Sequence, residues 1–241
     1  MASHTPRLLT IQQRQELSCI PDSLSNRQIA HYYTLLPTDL QLISQQHGQS
    51  NRLGFAVQLC TLRFPGRALV DLPRVPEVVL AYIAEQISVP PEKFSEYGQR
   101  PATLTEHLLK IQTAAGYREY TFAVMLQLTR RVLPLAMEID TRMVLVEAAL
   151  EHLRQMKVIA PAMTTLEALV WQVIRIARQR VYRRLDATLT QGQRKLLTSW
   201  LYPEPGLKQK TRWHWLRVPP KDVSKRSLIH LLERVNFVKL L

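Results

Sequence analysis

Cysteine and glycine are scarce in this chain of 241 residues, which contains 2 Cys and 7 Gly. Cys19 and Cys60 are accompanied by no CxxC or HxxxH pattern, which excludes a disulfide framework and a zinc site of ordinary spacing. Both lie among apolar neighbours and are predicted to be reduced core residues. With 46% hydrophobic residues and so little glycine, the chain is predicted to fold around a sizeable core.

Long apolar runs are also absent. No stretch approaches the ~20 residues that a membrane-spanning helix needs. The opening residues MASHTPRLLTIQQRQEL contain no apolar signal core. The sequence therefore predicts a soluble cytoplasmic protein that has no membrane partner.

The motifs of common active sites are missing too. The chain has no GxGxxG, GxxxxGK[ST], GxSxG or HExxH pattern. Its 19 acidic residues are scattered, whereas a metal-dependent nuclease needs carboxylates that converge on one site. The isolated histidines His31, His107 and His230 are predicted to be ordinary helix-surface residues. We therefore expect no catalytic residue, no bound metal and no cofactor.

Positive charge is abundant, and it is concentrated in the last third of the chain. Residues 1–100 hold 9 Lys/Arg and 8 Asp/Glu, residues 101–170 hold 7 and 7, and residues 171–241 hold 16 and 4. Such a concentrated excess indicates a polyanionic partner, most often nucleic acid. The alternative is a solvated basic face. Ten of the 16 basic residues in this third are Arg, which suits bidentate contacts to phosphates and bases.

The apolar residues recur at helical spacing throughout, and no stretch is predicted to be a strand. Thr10, Ser25 and Thr190 are predicted helix N-caps. The stretch YREYTF reads as a connection and divides the chain into two predicted helical modules, residues 1–116 and residues 117–241. The fold class is therefore predicted to be all-α, with no significant sheet.

The first module contains a compact segment, residues 25–63, with the punctuation of a helix-turn-helix variant, which any small helical bundle also shows. Candidates for reading DNA sequence here are Arg27, Gln28, Asn51 and Arg52. The last two open the stretch QSNRLGFAVQLCTLRFPGRAL, which is apolar all round and is therefore predicted to be a buried core helix. On that helix, Gln58 is the one further candidate for recognition.

The second module carries the basic excess. On the predicted helix of residues 166–185, Arg180 and Arg184 fall on the apolar stripe. Because burying an unpaired Arg is costly, the last turns of this helix are predicted to leave the core. The alternative is that these arginines pair with Asp186 or lie along the next helix. Candidates for phosphate contacts are Arg175, Arg178, Arg183 and Arg184.

Two further basic segments follow. The stretch GLKQKTRWHWLRVPPK interleaves cations with Trp213 and Trp215, which is typical of a backbone-tracking or minor-groove arm. The tryptophans are alternatively core anchors. At the start of the last helix, Ser224 and neighbouring backbone N–H groups are candidates to hold a phosphate. Candidate contacts in these segments are Lys208, Lys210, Arg212, Lys225 and Arg226.

Six stretches occur in order along the chain: LLTIQQRQEL, IAHYYTLLPTDLQLI, NRLGFAVQLCTLRFPGRAL, GYREYTF, TLEALVWQVIRIAR and SLIHLLERVNFVKLL. Together they resemble the N-terminal region of the Tn-three type replicative transposases. The resemblance implies all-helical modules that recognise the terminal inverted repeats of a transposon, within the bacterial nucleoid. It implies double-stranded DNA as the partner, with full-length transposase or a second copy on DNA as candidate protein partners.

In the resembled family, a ribonuclease-H-like catalytic domain with an acidic metal-binding triad lies far downstream. The sequence ends inside an amphipathic run, as a fragment or an interrupted reading frame would. We therefore expect this chain not to be an enzyme. Two other hypotheses stay open: a nonspecific nucleic-acid binder, RNA included, and a truncated helical interaction module that modulates full-length transposase.

Overall fold

The computed structural model describes residues 8–203, 211–220 and 222–239. Within these ranges the chain forms α-helices, two short 3-10 helices and two isolated β-bridges. The described residues contain no β-strand longer than such a bridge. The predicted all-α class is confirmed. The α-helices are α1 (Ile11–Ser18), α2 (Asn26–Tyr33), α3 (Pro37–Ser44), α4 (Gln49–Arg63), α5 (Glu77–Gln86), α6 (Pro101–Ala115), α7 (Phe122–Glu138), α8 (Arg142–Gln155), α9 (Met163–Thr188), α10 (Gln191–Ser199), α11 (Arg212–Arg217) and α12 (Lys225–Lys239).

Local capping decides where several helices begin. The backbone N–H of Thr10 donates to Gln13 Oε1 (3.0 Å), and the backbone N–H of Gln13 donates to Thr10 Oγ1 (3.2 Å). The same reciprocal capping box closes at Ser25 and at Thr190. These three predicted N-caps are therefore confirmed.

The chain divides into two compact units, and the boundary lies within α9. The first unit extends to Arg178 and the second begins at Gln179. The first unit contains two hydrophobic clusters, one built mainly on α2 to α6 and the other on α7 to α9. The module boundary predicted between residues 116 and 117 stays a prediction.

Helix α4 lies at the centre of the first cluster. Every residue from 53 to 62 is buried, so the prediction of a core helix is confirmed. A Cβ atom at Gly54 would lie 2.1 Å from the ring of Tyr97. Glycine at this position therefore allows the tyrosine ring to pack directly on the helix backbone.

A buried polar network lies beside Gly54. The hydroxyl of Tyr97 donates to Gln58 Oε1 (3.1 Å) and lies 2.9 Å from His107 Nδ1. His107 is 5% exposed, so the prediction of a helix-surface histidine was wrong for this residue. The physical reason is that Tyr97 supplies a hydrogen-bond partner inside the core, which permits burial of the imidazole. Burial lowers the pKa of His107.

The second cluster packs α7, α8 and α9 against the start of the described chain. Leu8 and Leu9 are buried in this cluster. The buried carboxylate of Glu167 accepts hydrogen bonds from Leu9 N–H (3.0 Å) and from Arg14 Nε (3.1 Å), and it forms an ion pair with Arg14. Because its oxygens are satisfied in this way, Glu167 can lie in the core and fasten the N-terminal segment to α9.

Backbone hydrogen bonds join the two clusters. Gly66 O accepts from Ala160 N–H (2.8 Å), Arg118 N–H donates to Lys157 O (2.8 Å), and Arg118 O accepts from Ile159 N–H (2.9 Å). Gly66 and Arg118 belong to the stretches NRLGFAVQLCTLRFPGRAL and GYREYTF. These parts of the two stretches therefore hold the first unit together.

The described part of the second unit is built on aromatic side chains. The buried ring of Trp200 packs against Trp213 and Phe237, with centroids 5.6 and 5.0 Å apart, and Trp215 lies 5.7 Å from Phe237. Helix α12 has no buried residue. Across the described ranges, no helix is both long and apolar enough to cross a membrane.

Candidate nucleic-acid interface

Four residues of the first predicted module are candidates for reading DNA sequence. Three of them use their polar groups to stabilise the first turns of helices. Gln28 Oε1 accepts from Ser25 N–H (2.9 Å) in the capping box of α2. At the start of α4, Asn51 Nδ2 donates to a backbone carbonyl one turn earlier (2.9 Å), and Arg52 Nε donates to Gln46 O (3.0 Å). Contacts of these groups to DNA would compete with those hydrogen bonds.

Arg27 and Gln58 lie at opposite extremes of exposure. Arg27 is exposed on α2, and it makes no ion pair with any residue that the structure describes. Gln58 is 1% exposed, and its Nε2 donates to Leu104 O (3.2 Å). Gln58 is therefore a core residue, which corrects its place among the recognition candidates, whereas Arg27 remains available to a ligand.

Helix α9 leaves the core after Ala177, its last buried residue, as the sequence predicts. Close to that point, Arg175 Cζ lies 5.4 Å from the centroid of the Trp171 ring. Arg178 Nη2 donates to both carboxylate oxygens of Asp140, at 3.0 and 2.9 Å. An exposed ion pair of this kind stabilises a protein by about 0–1 kcal/mol, so phosphate can compete for Arg178.

In the second unit, α9 continues with three exposed arginines, Arg180, Arg183 and Arg184. Within the described ranges, none of the three forms an ion pair or a side-chain hydrogen bond. The alternative pairing with Asp186 is not observed, because that carboxylate lies 3.2 Å from Arg194 Nε. The three guanidinium groups are therefore available to a polyanion.

The tryptophan-containing segment contributes to the core of the second unit. Arg212 Cζ lies 5.4 Å from the centroid of the Trp215 ring and 5.0 Å from that of Phe237. Trp213 Nε1 donates to a backbone carbonyl of α10 (3.2 Å). Both tryptophans thus contact the aromatic core, but Trp213 is 36% exposed, so core anchor and base stacker stay the two alternatives. Outside the described residues lie the candidates Lys208 and Lys210.

A carboxylate occupies the donors at the start of α12. Asp222 Oδ1 accepts from Ser224 N–H (3.0 Å), Ser224 Oγ (2.5 Å) and Ser227 Oγ (2.7 Å). The Ser224 donors predicted to hold a phosphate are therefore engaged by a carboxylate of the chain itself. The neighbouring side chains of Lys225 and Arg226 are exposed and remain candidates for phosphate contacts.

Helix α10 presents a polar face that no sequence motif marks. Gln191, Arg194, Lys195 and Thr198 are exposed and recur at positions i, i+3, i+4 and i+7. This spacing places them on one side of a helix. The same spacing is the signal from which the face could be found in the sequence.

The described residues contain no group of three or more His, Cys, Asp or Glu side chains that could hold a metal ion. Cys60 is buried, as predicted, and burial raises the pKa of its thiol to about 12. The thiol therefore stays protonated and unreactive near neutral pH. What the described surface offers a ligand is positive charge and hydrogen-bond donors.

Residues 8–173 match the protein family described as "Domain of unknown function (DUF4158)". The chain belongs to the DUF4158 family. The match covers the first unit almost completely and ends within α9. The exposed arginines of the second unit therefore lie beyond the part that defines the family.

Three relatives extend the comparison into the second unit. The chain is 37% identical over 231 residues to the transposase for transposon Tn3926 of Escherichia coli and 38% over 232 residues to that for Tn21 of the same species. It is 34% identical over 234 residues to the transposase for transposon Tn501 of Pseudomonas aeruginosa. These alignments cover 95%, 95% and 97% of the chain, but only 23% of each relative. The N-terminal portion of the relatives matches, which confirms the resemblance to that region of the Tn-three type transposases.

Proposed function

We propose that this member of the DUF4158 family is the DNA-binding part of a transposase and recognises the terminal inverted repeats of a transposon. Its relatives are transposases, and 95% or more of the chain aligns with them. The observation that carries the proposal is the excess of positive charge in the second unit, which includes the exposed residues Arg180, Arg183 and Arg184.

The charge of the two units differs sharply. From Gln179 onwards the sequence holds 14 Lys/Arg and 4 Asp/Glu, whereas residues 1–178 hold 18 and 15. On α9, Arg180 is three and four residues from Arg183 and Arg184, and like charges at this spacing destabilise a helix by about 0.2–0.5 kcal/mol per pair. A bound phosphate backbone removes that repulsion and releases counterions, which favours DNA binding.

The proposal gives different residues different tasks. Phosphate contacts are assigned to Arg183, Arg184, Lys225 and Arg226, with Arg175 and Arg178 on the preceding part of α9. Arg27 is assigned to a contact from the first unit, where Gln28, Asn51 and Arg52 would first have to leave their capping partners. Binding, not strand cleavage, is assigned to this chain, so Mg²⁺ or Mn²⁺ should leave repeat DNA intact. Metal-dependent cleavage by the purified chain would contradict this assignment.

Fluorescence anisotropy tests recognition directly. The purified chain is titrated into duplexes that carry the inverted repeats flanking its gene and into scrambled duplexes, at two salt concentrations. Specific binding should exceed binding to the scrambled duplex by at least ~10³-fold, and both affinities should fall as salt rises. Equal affinities would leave a nonspecific nucleic-acid binder, and self-association without DNA binding would favour the interaction module.

A double substitution tests the role of the second unit. Arg183→Ala combined with Arg184→Ala removes two phosphate contacts, so the slope of log K against log salt should become shallower by about 2. The matched control is Arg130→Ala combined with Arg131→Ala, an adjacent exposed pair on α7 of the first unit. Equal losses of affinity in the two double variants would show that the arginines of α9 are not the principal contacts.

A further inference from the structure

Helix α10 has two faces of opposite character. The exposed face consists of Gln191, Arg194, Lys195 and Thr198. On the opposite side, the carbonyl of Leu197 accepts from Trp213 Nε1 (3.2 Å), and Trp200, the C-cap residue directly after the helix, has a buried ring. One side of the helix is thus anchored to the aromatic core, and the other side is left to solvent.

Three of the four exposed side chains are unengaged. Arg194 is tied to the end of α9, because its Nε lies 3.2 Å from Asp186 Oδ1 and its Nη2 donates to Asp186 O (2.6 Å). Gln191, Lys195 and Thr198 make no side-chain hydrogen bond or ion pair with any described residue. An amide, an ammonium group and a hydroxyl are the donors and acceptors that proteins direct at base edges and phosphates.

The connection between α9 and α10 is short and well fixed. Helix α9 ends at Thr188 and α10 begins at Gln191, and Thr190 closes a capping box with Gln193. The contacts of Arg194 with the last turn of α9 fix the connection further. A helix-turn-helix protein presents its second helix to DNA from such a short connection, and a rigid support favours accurate base reading.

The exposed face of α10 borders a groove of about 440 Å³. Ser199 and Tyr202 complete its lining, and the Tyr202 side chain is 68% exposed. The groove is therefore bounded by cations, hydroxyl groups and an accessible aromatic ring. These groups match the phosphates and sugars of a nucleic-acid backbone.

Gly192 lies in the first turn of α10. A Cβ atom at this position would have no neighbour closer than Thr190 Oγ1, at 3.9 Å. Packing within the described chain therefore does not require glycine here, although glycine makes a helix less stable than alanine does. Close approach of another molecule's backbone is a physical reason to have no side chain at this point.

We propose that α10 enters the major groove of transposon-end DNA, with Gln191, Lys195 and Thr198 facing base edges and Gly192 lying against the DNA backbone. The inference rests on the proposed function and names the helix that gives it sequence specificity. An α-helix measures about 10–12 Å across with its side chains, which fits the ~12 Å width of the major groove. Gln pairs well with adenine, Lys with guanine, and Thr with the methyl group of thymine.

Gln191→Ala tests base reading in the full chain. Its affinity for the repeat duplex should fall about tenfold while its affinity for the scrambled duplex stays unchanged, because a base contact contributes only on the correct sequence. Gln127→Ala is the matched control, since Gln127 is also exposed but lies on α7. It should leave both affinities unchanged.

Gly192→Ala separates DNA contact from a structural role. Alanine stabilises the helix, so the melting temperature should stay the same or rise, whereas repeat affinity should fall about tenfold through collision with the DNA backbone. Unchanged affinity would overturn the placement of Gly192 against DNA. A lower melting temperature together with lower affinity would assign Gly192 a structural role and overturn that placement too.

The outcomes distinguish this inference from the function on which it rests. If the unsubstituted chain binds repeat and scrambled duplexes equally, the proposed function fails and the inference fails with it. If the unsubstituted chain prefers the repeat and Gln191→Ala keeps the whole preference, the inference is overturned and the proposed function stands. A preference about tenfold smaller in Gln191→Ala, with the preference of Gln127→Ala unchanged, supports both.

Discussion

In the first unit, α4 alone buries ten consecutive residues, 53–62, whereas Trp200 is the one buried hydrophobic residue in the described part of the second unit. Charge follows the opposite distribution, because residues 179–241 hold 14 Lys/Arg and 4 Asp/Glu, whereas residues 1–178 hold 18 and 15. Burial of apolar surface is the main source of folding stability, and cations facing phosphates are the main source of DNA affinity. We therefore expect substitutions in the first unit to change stability and those in the second to change binding.

Truncation of a buried side chain in α4 should have the largest effect on folding stability. Leu59 is 0% exposed, and Leu59→Ala should lower the free energy of unfolding by about 2–5 kcal/mol, because it removes buried methyl groups and leaves a cavity. Urea denaturation measures this loss. Leu109→Ala is the matched control, since Leu109 on α6 is 55% exposed, and it should change stability by less than about 0.5 kcal/mol. Similar losses in both variants would contradict the assignment of the core.

Gly54→Ala should have the next largest effect. The added methyl group would lie 2.1 Å from the Tyr97 ring, so the ring must move and the network with Gln58 and His107 must rearrange. Overpacking of this kind costs about 1–3 kcal/mol of folding free energy, which urea denaturation also measures. Gly192→Ala is the steric control, because its methyl group would have no neighbour closer than 3.9 Å. A Gly54→Ala variant as stable as the unsubstituted chain would contradict the close packing of Tyr97.

The smallest expected effect is a dependence of the folding stability of the first unit on pH. Burial lowers the pKa of His107, so near and below the usual pKa of ~6.5 the unfolded chain binds a proton more readily than the folded chain. Stability should therefore fall as the pH is lowered through this range. His107→Gln should reduce the dependence, measured by urea denaturation at several pH values.

Helix positions could be predicted from the sequence because their causes are local. Thr10, Ser25 and Thr190 cap their helices with a Gln three residues later, and this pair is visible in any short window. The hydrogen-bond partners of the buried polar side chains could not be predicted in this way. Tyr97 and Gln58 are 39 residues apart, so the burial of His107 between helices depends on tertiary packing.

The candidate interface could likewise be predicted from the sequence only where its causes are local. The basic excess is a property of composition, and its concentration in the last third is visible in the sequence. Which cations are engaged depends on distant or opposing groups, since Arg178 meets Asp140, 38 residues away, and Arg212 stacks on Phe237 of α12. Asp222 lies only two residues before Ser224. That pair is a local capping pattern, and it indicates that the donors of Ser224 are already engaged.

The contact between Leu9 and Glu167 also bears on the order of events during synthesis. The two residues are 158 positions apart, and ribosomes add about 5–20 residues per second, so roughly 8 to 32 s pass between their appearances. Throughout that interval, Leu8 and Leu9 have no α9 against which to pack. The first unit can therefore be completed on the ribosome only after α9 has emerged, and until then the apolar surface of these two leucines stays without its folded partner.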